Sequence, residues 1–262
     1  MSSGRRLAIM LALAVAQVVS VKAAMAAEVA KAQRPPVIKN LEQQGLEIFG
    51  EFDAPGGLRG FAGASGSGPV ALYVTPDGEH AVVGAMVNSK GEDMSAAVLE
   101  RLVSQPLSQR MWEQLERSQW VIDGNASAPR VVYVFTDPNC TYCHRFWEAS
   151  RRWVQSGKVQ LRHILVGVIR ADSANKAAAI LTAKSPSEAL TRNEQRQAEG
   201  GIEGVKTVSA EVQAKLDANE RLMHQLGIQG TPGILFRDER GIVQSRSGMP
   251  APEDMRTVLG SF

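Results

Sequence analysis

The chain holds two cysteines, Cys140 and Cys143, separated by Thr141 and Tyr142 and followed directly by His144. A disulfide kept for stability usually closes a long loop, because that constrains the unfolded chain most, whereas a bridge across two residues closes almost nothing. The pair therefore reads as reactive. At the start of a helix, C-x-x-C has a definite chemistry. The first thiol sits where unpaired N–H groups and the positive end of the helix dipole favour the thiolate, and the second lies one turn deeper on the same face. Cys140 is then the candidate nucleophile, and Cys143 the thiol that attacks the resulting mixed disulfide and resolves it. Thr141 and Tyr142 set much of the reduction potential through the hydrogen bonding around the sulfurs.

Other chemistries could use the same residues. A zinc site would need a second pair of ligands, and His80, His163 and His224 lack metal-ligand spacing. Cys140-Thr141-Tyr142-Cys143-His144 also spells the attachment signal for c-type haem, and nine methionines leave a distal ligand open. The dithiol reading expects no metal and no cofactor.

The elements around the motif must position it. Residues 131–135, Val-Val-Tyr-Val-Phe, form a continuous β-branched and aromatic run, the pattern of a strand buried on both faces. Residues 136–139 turn out of it, and from Cys140 the period becomes helical, with Phe146, Trp147, Trp153 and Val154 on the apolar side. A strand over 159–168 completes a βαβ unit. An Ala-rich helix (174–183), a polar segment (192–197), a helix over 210–226 ended by Gly227, an antiparallel pair (234–236 and 242–245) and a helix over 252–259 follow. Thr231 and Pro232 stand at the entry to the strand at 234. The loop before Cys140 carries Asp137 and Asn139, and its polarity predicts that it is solvated. Asn139-Cys140-Thr141 and Asn125-Ala126-Ser127 match the N-glycosylation sequon, a common and weak pattern.

Upstream, residues 27–90 read as a small strand-rich unit. Strands are predicted over 46–52, 70–75 and 80–87, with a Pro76-Asp77-Gly78 turn and loops or bulges in the Gly-rich stretch 56–68. About 60 residues bury too little surface for comfortable independence, which predicts pairing with a second copy. Residues 91–120 read as a helical linker: Ser95 can cap a helix with Val98, Leu99, Leu102 and Val103 on one face, Pro106 interrupts it, and Met111, Trp112 and Leu115 resume the spacing. Asp123-Gly124-Asn125 then turns into a second domain over 121–262.

The N-terminus reads as an address. Arg5 and Arg6 precede an apolar run over 7–21, and Ala24-Met25-Ala26 has the small-x-small form of a signal-peptidase site, so residues 1–26 are predicted to be a signal peptide cleaved near Ala26. Removing them takes the formal charge from +2 to −1. Near-neutrality, without basic clusters interleaved with aromatics, argues against a nucleic-acid partner, and 44% hydrophobic residues argue against global disorder.

The stretch from Phe135 through Asn139-Cys140-Thr141-Tyr142-Cys143-His144 to Trp147, then Ser156-Gly157-Lys158 and Leu165-Val166-Gly167, together with Thr231-Pro232, resembles the DsbC/DsbG family of periplasmic thiol:disulfide interchange proteins. The resemblance implies a thioredoxin-like α/β domain with a helical insertion, preceded by a small cystatin-like α+β dimerisation domain and a helical linker. It implies a homodimer acting on protein clients with disulfides or oxidised cysteines, and a DsbD-like membrane electron donor. It also implies that Thr231 and a cis-Pro232 face the substrate. Thr141 departs from the family's usual proline, and His144 stands where lysine is common. Val134 occupies the position, six residues before Cys140, where thioredoxin has a buried acid. A second reading from another class is a dimeric chaperone whose disulfide is incidental.

Overall fold

The computed structural model describes residues 33–66 and 68–261, so the signal-peptide reading of 1–26 lies outside the described residues. The chain divides into two compact units between Ser104 and Gln105.

In the first unit, α1 (Pro36–Gln43) starts with proline at its first turn, where no backbone N–H is needed. Four antiparallel strands follow in the order β1 (Glu47–Asp53), β2 (Arg59–Ser65), β3 (Gly68–Val74) and β4 (Ala81–Val83). Ile38 of α1 packs on Phe61, Leu72 and Val74. Two expectations need correction. The Gly-rich stretch is largely strand β2, whose glycines admit close neighbours: a Cβ at Gly60 would stand 2.4 Å from the Phe52 ring, and one at Gly63 2.9 Å from the Glu47 carbonyl oxygen. The strand expected over 80–87 ends at Val83: Gly84 still donates its N–H to the Ala71 carbonyl at 3.0 Å but turns the chain at φ +139°. The unit ends in α2 (Ala96–Leu99) and a π-helical turn (Glu100–Ser104). The irregular turn lies just before Pro106, which cannot donate a backbone hydrogen bond to it.

The second unit opens with α3 (Gln105–Arg117) and holds a five-stranded sheet in the order β5–β7–β6–β8–β9. Its strands are β5 (Trp120–Asp123), β6 (Arg130–Thr136), β7 (Val159–Leu165), β8 (Gly233–Arg237) and β9 (Val243–Ser247). Only β6 and β7 are parallel, joined by the crossover helix α4 (Thr141–Gln155). Residues 120–123, expected in the linker and turn, instead pair antiparallel with β7 as an edge strand.

Both sheet faces are covered. Val132 and Val134 face Phe146, Trp153 and Val154 of α4 and Val258 and Leu259 of the terminal helix α8 (Met255–Leu259). Tyr133 and Phe135 face Trp112 and Leu115 of α3 and Leu222 and Met223. The insertion between β7 and β8 contains α5 (Ser173–Leu181), α6 (Pro186–Gln195) and α7 (Ala210–Gln225), with Ala177, Ile180, Ala189, Leu190 and Leu216 clustered against Val121 of β5 and Leu165 of β7. The segment read as polar around 192–197 is the end of α6, and its Asn193 and Glu194 are buried.

Candidate active site

Strand β6 and helix α4 deliver the dithiol. Cys140 is the N-cap of α4, with extended backbone at φ −79° and ψ 111°, and its Sγ accepts the Cys143 backbone N–H at 3.1 Å. Capping of this kind points the first sulfur at the orphan donors of the helix start, the environment that favours a thiolate. Cys143 lies one turn in, with a Cα–Cα separation of 5.2 Å, and the two sulfurs form a disulfide.

The loop between β8 and the preceding helix closes the site from the other side. Thr231-Pro232 is a cis peptide, and the Thr231 carbonyl oxygen lies 3.4 Å from Cys140 Sγ. The sequence-predicted Cys140, Cys143, Thr231 and Pro232 are thus brought to one place. Tyr142 projects outward at 55% exposure with the Arg145 guanidinium over its ring, and Val168 and Ile169 are exposed apolar side chains. Thr141 is exposed as well.

The polar loop before Cys140 is buried, against expectation. Its polarity is satisfied internally. Asp137 accepts the backbone N–H groups of Val168 (2.7 Å) and Ile169 (2.9 Å) on one oxygen, and the Asn139 N–H (2.8 Å) and the Ser173 hydroxyl (2.8 Å) on the other. Asn139 donates to Asp172 and Ser173 and accepts from Lys176 Nζ at 2.7 Å, while Asn193 donates to the Pro138 carbonyl at 3.0 Å. Buried polar groups with full hydrogen bonding lose the cost that makes such a loop seek water. The insertion helices therefore fix the loop that carries Cys140.

His144 is engaged on both ring nitrogens: Nδ1 lies 3.1 Å from Glu194 Oε2, Nε2 lies 3.5 Å from Glu148, and the ring stacks on Trp147. A histidine so held, beside two sulfurs bonded to each other, favours the dithiol chemistry over haem attachment. Burial pushes the Glu194 carboxyl above the usual glutamate range, although His163, His144 and Asn193 pull the other way.

Beneath α4, Val134 is paired across the parallel ladder with His163. His163 Nδ1 is 2.9 Å from the Thr136 hydroxyl, and its Nε2 faces Asp123 at 3.6 Å. Burial alone would push Asp123 up; the facing His163 imidazole and the hydrogen-bonded Arg151 guanidinium hold it well below the usual carboxylate range. Among the described residues no cluster of three or more potential metal ligands is found, and no helix is long and apolar enough to cross a membrane.

Sequence reasoning missed Glu194, Asn193, Lys176 and the roles of Asp137 and His163. A signal existed for two of them. Ala189 and Leu190 begin a helical stripe that Asn193 and Glu194 continue one turn later, so both fall on the buried face of α6.

Comparison with known proteins gives a consistent set of matches. The family model for a thioredoxin-like domain matches residues 124–262. The chain is 45% identical over 226 residues to the thiol:disulfide interchange protein DsbG of Pseudomonas aeruginosa, covering 86% of this chain and 88% of that one. It is 41% identical over 230 residues to DsbG of Escherichia coli K12, covering 87% and 92%. Among solved structures, the catalytic domain of Proteus mirabilis ScsC aligns at 20% identity with a TM-score of 0.49, over 59% of this chain and 96% of that one.

Proposed function

The chain belongs to the DsbG family of thioredoxin-like thiol:disulfide interchange proteins, and from that premise we propose how its residues divide the work. Cys140 attacks and Cys143 resolves. The observation that carries this assignment is the N-cap: Cys140 Sγ takes the Cys143 N–H, whereas Cys143 lies inside the first turn.

In the reduced protein the Cys140 thiolate attacks one sulfur of a client disulfide, forming a Cys140–client bond and expelling the other client sulfur as a thiolate that takes up a proton. Cys143 then gives up its proton and attacks Cys140 Sγ. The second client sulfur leaves as a thiol, and the Cys140–Cys143 disulfide remains. Two electrons pass to the client. With a sulfenylated cysteine, the same thiolate displaces hydroxide, which leaves as water, and Cys143 resolves as before. Thr231 and Pro232 line the place where the client chain lies, and Tyr142, Val168 and Ile169 supply an apolar rim.

This chemistry belongs in a dimeric periplasmic protein that reduces or isomerises client disulfides and draws electrons from a DsbD-like membrane reductase. The predicted signal peptide supports export. The first unit supports pairing: its short edge strand β4 leaves Val82 and Val83 68% and 57% exposed, and an exposed apolar edge is a template for a second chain. Residues 27–90 would then be the dimerisation domain and 91–120 the linker to the catalytic domain.

Replacing Cys140 with Ser tests the assignment. Insulin reduction and repair of scrambled disulfides should fall to background, while Cys143→Ser should trap mixed disulfides through Cys140. Full activity in Cys140→Ser would overturn the redox reading in favour of a chaperone.

A further inference from the structure

Glu194 lies 50 residues from His144 in sequence, on an insertion helix, and is 2% exposed. A buried carboxylate is costly unless something faces it, and what faces it here is the imidazole that follows Cys143. His144 is four residues after Cys140 and donates its backbone N–H to the Cys140 carbonyl at 3.1 Å, so its side chain leaves the helix one turn after the cap that carries the Cys140 sulfur. We infer that Glu194 is a positioning residue for the dithiol: its carboxylate fixes the His144 ring on Nδ1, so that the positive end of this charge-assisted pair is held one turn from Cys140, where it stabilises the thiolate.

The charged surroundings permit this. From β7, His163 lies within electrostatic reach of Glu194, but it is already set between Thr136 and Asp123, whose other partner is Arg151. Lys176 of α5 is committed to Asn139, the Gly200 carbonyl and Asp172. Glu148 faces the outer nitrogen of His144 and is largely exposed, so solvent weakens its pull. Glu194 is therefore the buried anion in hydrogen-bonding contact with His144. The alternative is a purely structural tie between α6 and α4, which would move stability and leave the thiols alone.

The inference rests on Cys140 being the attacking thiol, and the experiment separates the two. Reduced protein is alkylated between pH 4.5 and 8, each cysteine is followed by peptide mass spectrometry, and the Cys140–Cys143 equilibrium with glutathione is measured. Labelling of Cys143 ahead of Cys140 in the unmodified protein would overturn the attacking-thiol reading itself. With that reading intact, Glu194→Gln should slow Cys140 labelling at mildly acidic pH by about threefold or more, the factor of a half-unit shift. The glutathione equilibrium should move toward the protein disulfide by a similar factor, because a less stabilised thiolate is a more reducing one.

Glu194→Asp, which keeps the charge, should restore part of the effect. His144→Gln, whose amide can still donate to the Glu194 carboxylate, should reproduce it, and Glu194→Gln added to His144→Gln should change nothing further. An unchanged labelling profile in Glu194→Gln or in His144→Gln, or an undiminished effect of Glu194→Gln in the His144→Gln background, would overturn the proposal.

Discussion

Asp137 shows how much one side chain can decide. Four donors converge on its carboxylate, two from the loop at 168–169, one from Asn139 and one from Ser173. Each is a charge-assisted bond in a buried setting, so removing the charge leaves donors without an acceptor. In Asp137→Asn an NH₂ replaces one oxygen and must face N–H or O–H donors at one of the two sites. We expect a loss of about 2 kcal/mol or more in urea unfolding. Insulin reduction should also slow, since Cys140 donates its backbone N–H to the Asp137 carbonyl and moves with that loop. Wild-type stability and rate in Asp137→Asn would show that the clamp is incidental. From sequence, Asp137 looked like a solvated turn residue; three of its four donors lie more than 30 positions away, and only the fold supplies them.

At the scale of elements, Asp123 joins three pieces of the second unit. It ends the edge strand β5, receives Arg151 of α4 at 3.0 Å and 2.5 Å, and faces His163 of β7. Its carboxyl titrates below the usual range in the folded protein, so its stabilisation is fully present above the ordinary aspartate value and is lost as pH falls below it. Thermal melts should therefore show stability declining from about pH 4 downward. Asp123→Asn should flatten that decline and cost about 3 kcal/mol at neutral pH, the usual penalty for breaking a buried pair. An acid limb as steep in Asp123→Asn as in the wild type would assign the effect elsewhere.

The same elements show what the sequence made legible. Strand β6 and helix α4 announced themselves through an apolar run and a 3.6-residue period. Strand β5 hid in a stretch too short to alternate, and the end of α6 hid because its buried positions carry Asn193 and Glu194, polar residues that read as surface until their partners are known.

For the whole molecule, the exposed edge of the first unit carries the decisive test. Val82→Lys with Val83→Lys puts two charges on β4 at side chains that are 68% and 57% exposed, Val83 on the sheet face it shares with Leu72 and Val82 on the opposite face. Light scattering at micromolar concentration should give twice the mature mass for the unmodified protein and the single mass for the double variant. Cys140 labelling should be the same in both. A monomeric unmodified protein would remove the dimer and, with it, isomerisation across a paired cleft.

The burial of the loop before Cys140 also matters for production in a eukaryotic secretory pathway. Oligosaccharyltransferase joins sugar to the asparagine amide nitrogen, and this chain offers two acceptor sequences. At Asn125 the residue is exposed, and the hydrogen bonds to its side chain from Ser127 fall on the amide oxygen. At Asn139 the nitrogen is engaged with Asp172 at 3.0 Å and Ser173 at 2.9 Å inside the closed loop. Sugar can reach Asn139 only before that loop closes, and a chain modified there cannot close it. Glycopeptide mapping of secreted, soluble material should then find carbohydrate on Asn125 alone, with modified Asn139 confined to retained, misfolded chains; active secreted protein carrying a glycan on Asn139 would contradict the buried loop.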